Sequence, residues 1–253
     1  MTASSKQKNL VIISGGGTGI GRACAQRLSQ WAGTPTSVLV IGRNEKNLFD
    51  TLSLLPAGNF KAVCDLSSTS SIENLKKTIA AIGLPISGLI NNAGIIERKL
   101  FVETDETHWR KQFEVNFFGA VSLTRLILPF MIKEKQGHVI NISSTLGARP
   151  ITATTAYSAS KAALINWTKG LAIEMSPHNI RVNCICPGIV ETPIWEIFGK
   201  KDSESEKTRK ILSEAQPLKR MGTPEEIAQA VSYFFESTWT TGAILDVDGG
   251  INL

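Results

Sequence analysis

The chain has 253 residues, 42% hydrophobic and 19% charged, with a formal net charge of +5, which suits one large core in a single domain spanning residues 1–253. No apolar stretch approaches the ~20 residues that cross a bilayer, and the N-terminus MTASSKQKNLVIISGGG reaches glycine too soon for a secretory signal. The lysines and arginines form no basic run, which argues against nucleic acid as a partner, and cysteines 24, 64, 184 and 186 show no C-x-x-C or metal-ligand spacing; they read as buried thiols in a reducing cytoplasm, with no metal expected.

In chain order, seven short apolar runs read as strands: NLVIIS, SVLVIG, FKAVCDL, GLINNAG, GHVINISS, IRVNCICPG and AILDVDGG. Helical periodicity fills the segments 21–31, 70–82, 106–135 and 156–175 between them. Strands alternating with helices predict an α/β fold with a doubly wound, seven-stranded parallel sheet, and the lack of polar alternation in the strands predicts cover on both faces. Three stretches break the rhythm: Gly-Ile-Ile-Glu after the Asn-Asn-Ala of 91–93, the Thr-rich stretch 149–155, and an insert at 191–217. The first two read as loops over the sheet edge. The insert carries Trp195, Phe198 and the run KKDSESEKTRK, which reads as a solvated helix face or as a lid.

The first strand runs directly into SGGGTGIGRACAQRL, with Gly15, Gly19 and Gly21 in the pattern G-x-x-x-G-x-G. Strand, glycine turn and helix in that order predict a pyrophosphate site, where backbone amides and the helix N-terminus face the anion. The end of the second strand reads VLVIGRNEKNL, with Gly42 at the position of the usual ribose-binding acid and Arg43 beside it. Nothing there repels a 2′-phosphate and a guanidinium can bind it, so NADP(H) is expected over NAD(H). Alternatively, Arg43 is a solvated turn residue and Glu45 supplies the acid.

Ser144 is followed thirteen residues later by Tyr157 and four further on by Lys161. On a helix the tyrosine and lysine share a face, and a cation beside a phenol favours phenolate, lowering its pKa toward a useful range. The same Y-x-x-x-K spacing also occurs on solvated helix faces. The three histidines, His108, His138 and His178, lie in no ligand pattern and read as surface or capping residues.

Taken together, SGGGTGIG at 14–21, NNAG at 91–94, Asn116, Ser144, Tyr157 with Lys161, Pro187-Gly188 leading to Thr192, and VDGG at 247–250 resemble the classical short-chain dehydrogenases/reductases over nearly the whole chain. Ser14 stands where that family usually has threonine. The resemblance implies a Rossmann fold and a reaction interconverting a ketone or aldehyde and an alcohol. It implies Tyr157 as general acid/base, Ser144 rather than Ser143 on the carbonyl oxygen, Lys161 on the tyrosine and the nicotinamide ribose, and Asn116 at a helix distortion, holding a water that links Lys161 to solvent. For Asn116 the plainer alternative is a buried amide that satisfies backbone groups. Cofactor contacts implied in the same way are Gly15, Gly17, Thr18, Gly19 and Ile20 at the pyrophosphate, Arg43, Asp65 and Leu66 at the adenosine end, Asn92 near its ribose, and Val190 and Thr192 at the carboxamide. Asp65 reads equally as a helix cap.

Ile95, Ile96, Leu146, Ile151, Ile194, Trp195 and Phe198 fall in the family's substrate loops and suggest an apolar pocket. PLKRMGTPEEIA is similar to the 3-oxoacyl-carrier-protein reductase-like branch, so a fatty-acid reductase is the second reading. That activity uses basic residues near the site mouth; Lys135 is available, but His178 stands where arginine is expected. A nucleotide sensor without turnover is the third reading, and it ordinarily lacks Tyr157 or Lys161. The resemblance also implies a homotetramer, or a homodimer, built through the helices of Asn116 and Tyr157 and the apolar tail 251–253, with a small carbonyl or alcohol compound as the substrate.

Overall fold

Runs of valine, isoleucine and leucine make strands that must be covered on both sides. In the computed structural model, which describes residues 8–31, 36–193 and 203–253, the strands are β1 (Asn9–Ser14), β2 (Thr36–Gly42), β3 (Phe60–Val63), β4 (Ile86–Asn91), β5 (Gly137–Ile142), β6 (Ile180–Pro187) and β7 (Ile244–Val247). They form one sheet in the order β3-β2-β1-β4-β5-β6-β7, with every neighbouring pair parallel. All seven expected strands are present. Several stop short of their apolar runs, because NNAG, ISS and VDGG already turn away into the loops that build the site.

Side chains alternate between two cores. Leu10, Ile12, Leu39, Ile41 and Val139 face α3 (Thr69–Ile82), α5 (Gly119–Glu134) and α6 (Thr155–Met175). Val11, Ile13, Val38, Val40 and Ile140 face α1 (Gly19–Ser29), α2 (Glu45–Leu52) and α8 (Pro224–Glu236). Each of these strand residues is at most 1% exposed, so a one-residue slip would exchange both cores and the register is strongly specified. The strand order reverses between β1 and β4, and a doubly wound sheet places its ligand crevice at the carboxyl ends of such a pair.

The helix expected over 106–135 is observed as α4 (Glu106–Phe113), a π-helical turn (Glu114–Phe118) and α5. Taken together, Glu106–Glu134 is long and apolar enough to cross a membrane by length and composition alone, a correction to the reading of the sequence. In the fold, Leu123, Ile127 and Met131 of this run pack into the sheet core. All four cysteines are buried, as expected. His108 and His138 are not surface residues: they are 6% and 2% exposed. His138 sits on β5 and its Nε2 accepts from Asn183 Nδ2 at 2.9 Å, and burial with the nearby Arg181 holds its pKa well below the usual value.

Of the insert, α7 (Ser203–Glu214) is a helix, and its end is tied back where Val190 bridges Gly222. Ile194, Trp195 and Phe198 lie outside the described residues.

Candidate active site

The glycine turn after β1 is built as a phosphate cradle. Gly15 and Gly19 adopt φ of +65° and +50°, which L side chains tolerate poorly. A Cβ on Gly21 would lie 2.3 Å from the Gly15 carbonyl oxygen, so this glycine is what lets α1 start so close to the strand. Thr18 precedes the helix without a side-chain cap, and the first turn holds no acid. The amides of that turn therefore meet no protein anion, the arrangement an external phosphate fits.

Side chains that sequence reasoning did not single out brace the loop. Arg22 Nη2 donates to the Gly17 carbonyl at 2.6 Å, and Thr51 Oγ1 to the same oxygen at 3.1 Å. Ser14 Oγ donates to Ile90 O at 3.3 Å and accepts from the amides of Asn92 and Ala93 at 3.0 and 3.1 Å. Serine thus does the bridging expected of a hydroxyl at this position. Asn92 Nδ2 donates to Ser14 O and Gly15 O at 3.0 and 3.2 Å. Its amide pins the glycine turn to β4, and it lines the cavity around Tyr157 rather than the recesses on the β2 side.

On the β2 side, a recess of about 510 Å³ is lined by Gly15, Gly17, Thr18, Gly42, Arg43, Asn44, Asn47 and Leu48. A smaller one, about 130 Å³, adds Asp65, Leu66 and Ile95 to Arg43 and Gly42. Glu45 lines neither; it opens α2 and pairs with Lys61 at 2.7 Å. Asp65 does not cap α3, a position filled by Ser68. Its Oδ1 instead accepts from Ser67 N and Oγ at 3.0 and 2.7 Å, and these bonds hold its carboxyl below the usual carboxylate range.

The third cavity, about 410 Å³, brings together Thr18, Gly19, Ile20, Ser144, Tyr157, Lys161, Val190 and Thr192, with Ile96, Leu146 and Ile151. Tyr157 and Lys161, one turn apart on α6, are 8% and 4% exposed. Lys161 Nζ lies 5.8 Å from the phenol ring centroid and donates to Ile142 O at 2.9 Å. Helix spacing puts the ammonium beside the ring, and its hydrogen bond goes to β5. Burial accordingly pushes the Tyr157 phenol up to about 12, opposed by a hydrogen bond with Ser144, whereas the sequence had suggested a lowered value. Burial pushes Lys161 down to about 8, and the nearby thiols Cys184 and Cys186 oppose that shift.

The two serines divide their work. Ser143 Oγ donates to Lys161 O at 2.8 Å, anchoring α6 to β5. Ser144 Oγ accepts from Leu146 N at 3.1 Å, which leaves its hydroxyl proton directed elsewhere. Asn116, 1% exposed, lies in the π-helical turn. Its Oδ1 accepts from Ile95 N at 2.8 Å, and its Nδ2 donates to Ile95 O and Ser160 Oγ, both at 3.0 Å. The side chain is thus the buried amide that satisfies backbone groups, and it ties the loop after β4 to α6.

Two loops and the C-terminal segment wall the cavity. Lys99 N donates to Ala153 O at 3.0 Å, joining the loop after β4 to the stretch before α6. Arg149 Nη1 donates to the carbonyls of Ile251 and Leu253 at 3.0 and 3.1 Å. Ile251 lines the cavity, as does Leu212 from α7; the Leu253 side chain is 97% exposed. Ile95 faces the adenosine-side recess instead. Lys135 ends α5 and His178 precedes β6, so both stand at the amino ends of the strands, opposite the site. They do not supply a basic site mouth.

The family model for short chain dehydrogenase matches residues 9–203. The chain is 33% identical to 3-oxoacyl-[acyl-carrier-protein] reductase FabG of Thermotoga maritima, covering 95% of this chain and 96% of that protein. It is 34% identical to carbonyl reductase family member 4 of Xenopus laevis, covering 95% and 97%. Among solved structures, a variant of actinorhodin polyketide ketoreductase with NADPH superimposes with a TM-score of 0.91 at 28% identity, covering 99% of each chain. The parallel sheet, the glycine turn at its switch point and these matches agree, and the chain belongs to the short-chain dehydrogenase family, as an oxidoreductase.

Proposed function

We propose that the protein uses NADP(H) in preference to NAD(H) to interconvert a small ketone or aldehyde and its alcohol. The observation that carries this is the convergence of Ser144, Tyr157 and Lys161 on one cavity continuous with an uncapped helix N-terminus. The site residues fit a nicotinamide dinucleotide. The glycine turn and α1 would hold the pyrophosphate, Asp65 and Leu66, which line the smaller β2-side recess, would hold the adenine, and Val190 and Thr192 would hold the nicotinamide carboxamide. When bound, the cofactor supplies or accepts the hydride.

Tyr157 gives a proton to the carbonyl oxygen on reduction and takes it back on oxidation. Ser144, its oxygen already accepting from Leu146 N, directs its O–H at the same oxygen, where charge builds in the transition state. Lys161, whose ammonium lies 5.8 Å from the Tyr157 ring centroid, would hold the ribose hydroxyls of the bound cofactor. The π turn around Asn116 interrupts the regular backbone ladder, and a main-chain carbonyl so released suits the water that links Lys161 to solvent. A second reading, 3-oxoacyl-[acyl-carrier-protein] reductase, is favoured by the likeness to FabG. It is weakened by the placement of Lys135 and His178 away from the mouth. We also propose assembly as a homotetramer, or a homodimer, through the exposed faces carrying Phe118 and Ile173, which are 49% and 76% exposed.

The cofactor preference rests on Gly42 and Arg43, which line both adenosine-side recesses. Titration calorimetry should show NADPH binding at least about tenfold tighter than NADH, a difference of roughly 1.4 kcal/mol. Arg43→Ala should weaken NADPH selectively; equal loss for both nucleotides would contradict the assignment.

A further inference from the structure

We infer that Gln112 is a positioning residue of the substrate pocket: oriented by His108, it fixes the segment that carries Ile96 into the cavity wall. This deepens the reductase reading above and rests on it. After β4 the chain runs without secondary structure from Asn92 to Leu100, and its Gly94, Ile96 and Arg98 line the cavity around Tyr157. The alternate residues are tied down. Ile95 is bonded through both backbone groups to Asn116, at 2.8 and 3.0 Å, and Glu97 likewise to Gln112, at 3.4 and 3.1 Å. Lys99 N donates to Ala153 O at 3.0 Å.

Asn116 belongs to the catalytic set that the family resemblance implies, but Gln112 does not. On α4 it is 0% exposed, and His108, one turn before it on the same face, is 6% exposed. An amide buried so deeply is costly unless it is bonded, and its bonds to Glu97 run to the loop after β4. Those two bonds fix which end of the amide is which, because the Glu97 N–H needs an acceptor and the Glu97 carbonyl a donor. So placed, Gln112 Nε2 also meets His108 Nε2 at 2.9 Å, and that ring nitrogen accepts. The imidazole proton is therefore on Nδ1, which lies 3.5 Å from Glu97 Oε2; Lys111 pairs with the same carboxylate. Turning the amide over, or moving the proton to Nε2, would set like groups against each other. Ring, amide and loop thus close one set of contacts around Glu97, and Ile96 is held between two pinned residues.

Ile96 stands with Leu146 and Ile151, against the body of the substrate rather than its reacting carbonyl. Such a contact is equal in the ground and transition states, so loosening it raises KM and leaves kcat. The adenosine-side recess is lined by Ile95, which Asn116 pins, and cofactor affinity does not depend on Gln112.

The test compares the wild type with Gln112→Met, which keeps the volume and loses the bonds, and with His108→Gln and His108→Leu, which keep and lose the acceptor. Nitrogen NMR of the imidazoles comes first, in mildly alkaline buffer. The chain has 3 histidines, and the signal missing from His108→Gln is that of His108. The wild type is expected to show the Nδ1–H tautomer there; the Nε2–H tautomer would overturn the inference. Benzaldehyde, acetophenone, cyclohexanone and butanone are then offered with NADPH for steady-state rates, and their Kd is read by ligand-observed NMR without turnover. Gln112→Met should raise KM and Kd roughly tenfold, the equivalent of one or two lost hydrogen bonds. Its kcat should stay within about twofold and its NADPH affinity should not change, while amide exchange quickens along the loop after β4 and not in the strands. His108→Leu should raise KM about threefold, and His108→Gln should restore it. Unchanged KM and Kd in Gln112→Met, or a fall in kcat and NADPH affinity alongside them, would overturn the inference. If Gln112→Met does not fold, the tautomer and the two His108 variants decide by the same readings. If Kd shifts as expected but no carbonyl is reduced, the positioning role stands and the reductase reading fails.

Discussion

Replacing Tyr157 by phenylalanine is expected to lower kcat for carbonyl reduction by about 10³-fold or more, within the range general acid catalysis supplies and its upper edge. The phenol lies in a buried, mostly apolar setting, where burial holds its proton to about 12. In the protein alone it is therefore a protonated donor throughout the neutral range. Ser144 is the nearest other hydroxyl, but an aliphatic alcohol is a far weaker acid and serves only to share the charge that builds on the substrate oxygen. Folding should hardly change, since the substitution removes one hydroxyl and keeps the ring against its neighbours, a loss of about 1 kcal/mol at most. Steady-state rates and a urea melt on the same preparation separate the two effects. A variant that kept a tenth of wild-type kcat would place the proton on another group.

Lys161→Met should be similarly inactive and yet more stable near neutral pH. The wild-type ammonium is buried with one bond to Ile142 O, and burial lowers its pKa from 10.5 to about 8. In the unfolded chain the lysine keeps its ordinary value, so between about pH 8 and 10.5 the unfolded state binds more protons than the native one. Stability through this group thus rises with pH across that window, and below pH 8 the full cost of a buried charge stands. Methionine removes that cost but leaves Ile142 O without its donor, for a net gain of roughly 2 kcal/mol at pH 7. The gain over wild type should shrink as pH rises from 8 to 10.5. Urea midpoints at pH 7 and 10 check it; a variant less stable than wild type at pH 7 would show that the ammonium is compensated by more than the bond to Ile142.

The strands were legible because buried parallel strands need uninterrupted apolar runs, and the Ser144, Tyr157 and Lys161 set because helix spacing fixes which side chains share a face. Spacing does not fix depth. That is why the raised Tyr157 phenol and the orientation of Lys161 toward Ile142 emerged only from the fold. The short α2 spans only Glu45–Leu52 and buries Leu48 and Thr51, a stretch too short to stand out in the sequence, although its Thr51 braces the phosphate loop. His108 and His138 looked like surface residues because a lone histidine carries no local sign of burial. Arg98 and Glu97 are adjacent charges in the sequence, and only the contacts of Glu97 with α4 reveal which of them faces the cavity.

The central claim is hydride transfer to a carbonyl in the cavity around Tyr157. NADPH deuterated at C4, prepared as each of its two epimers, would be incubated with the protein and a panel of aldehydes and ketones, and the products read by mass spectrometry and NMR. The account predicts an alcohol bearing one deuterium on the former carbonyl carbon, from one epimer only and absent with Tyr157→Phe. NADPH that binds yet delivers deuterium to no member of the panel would contradict it.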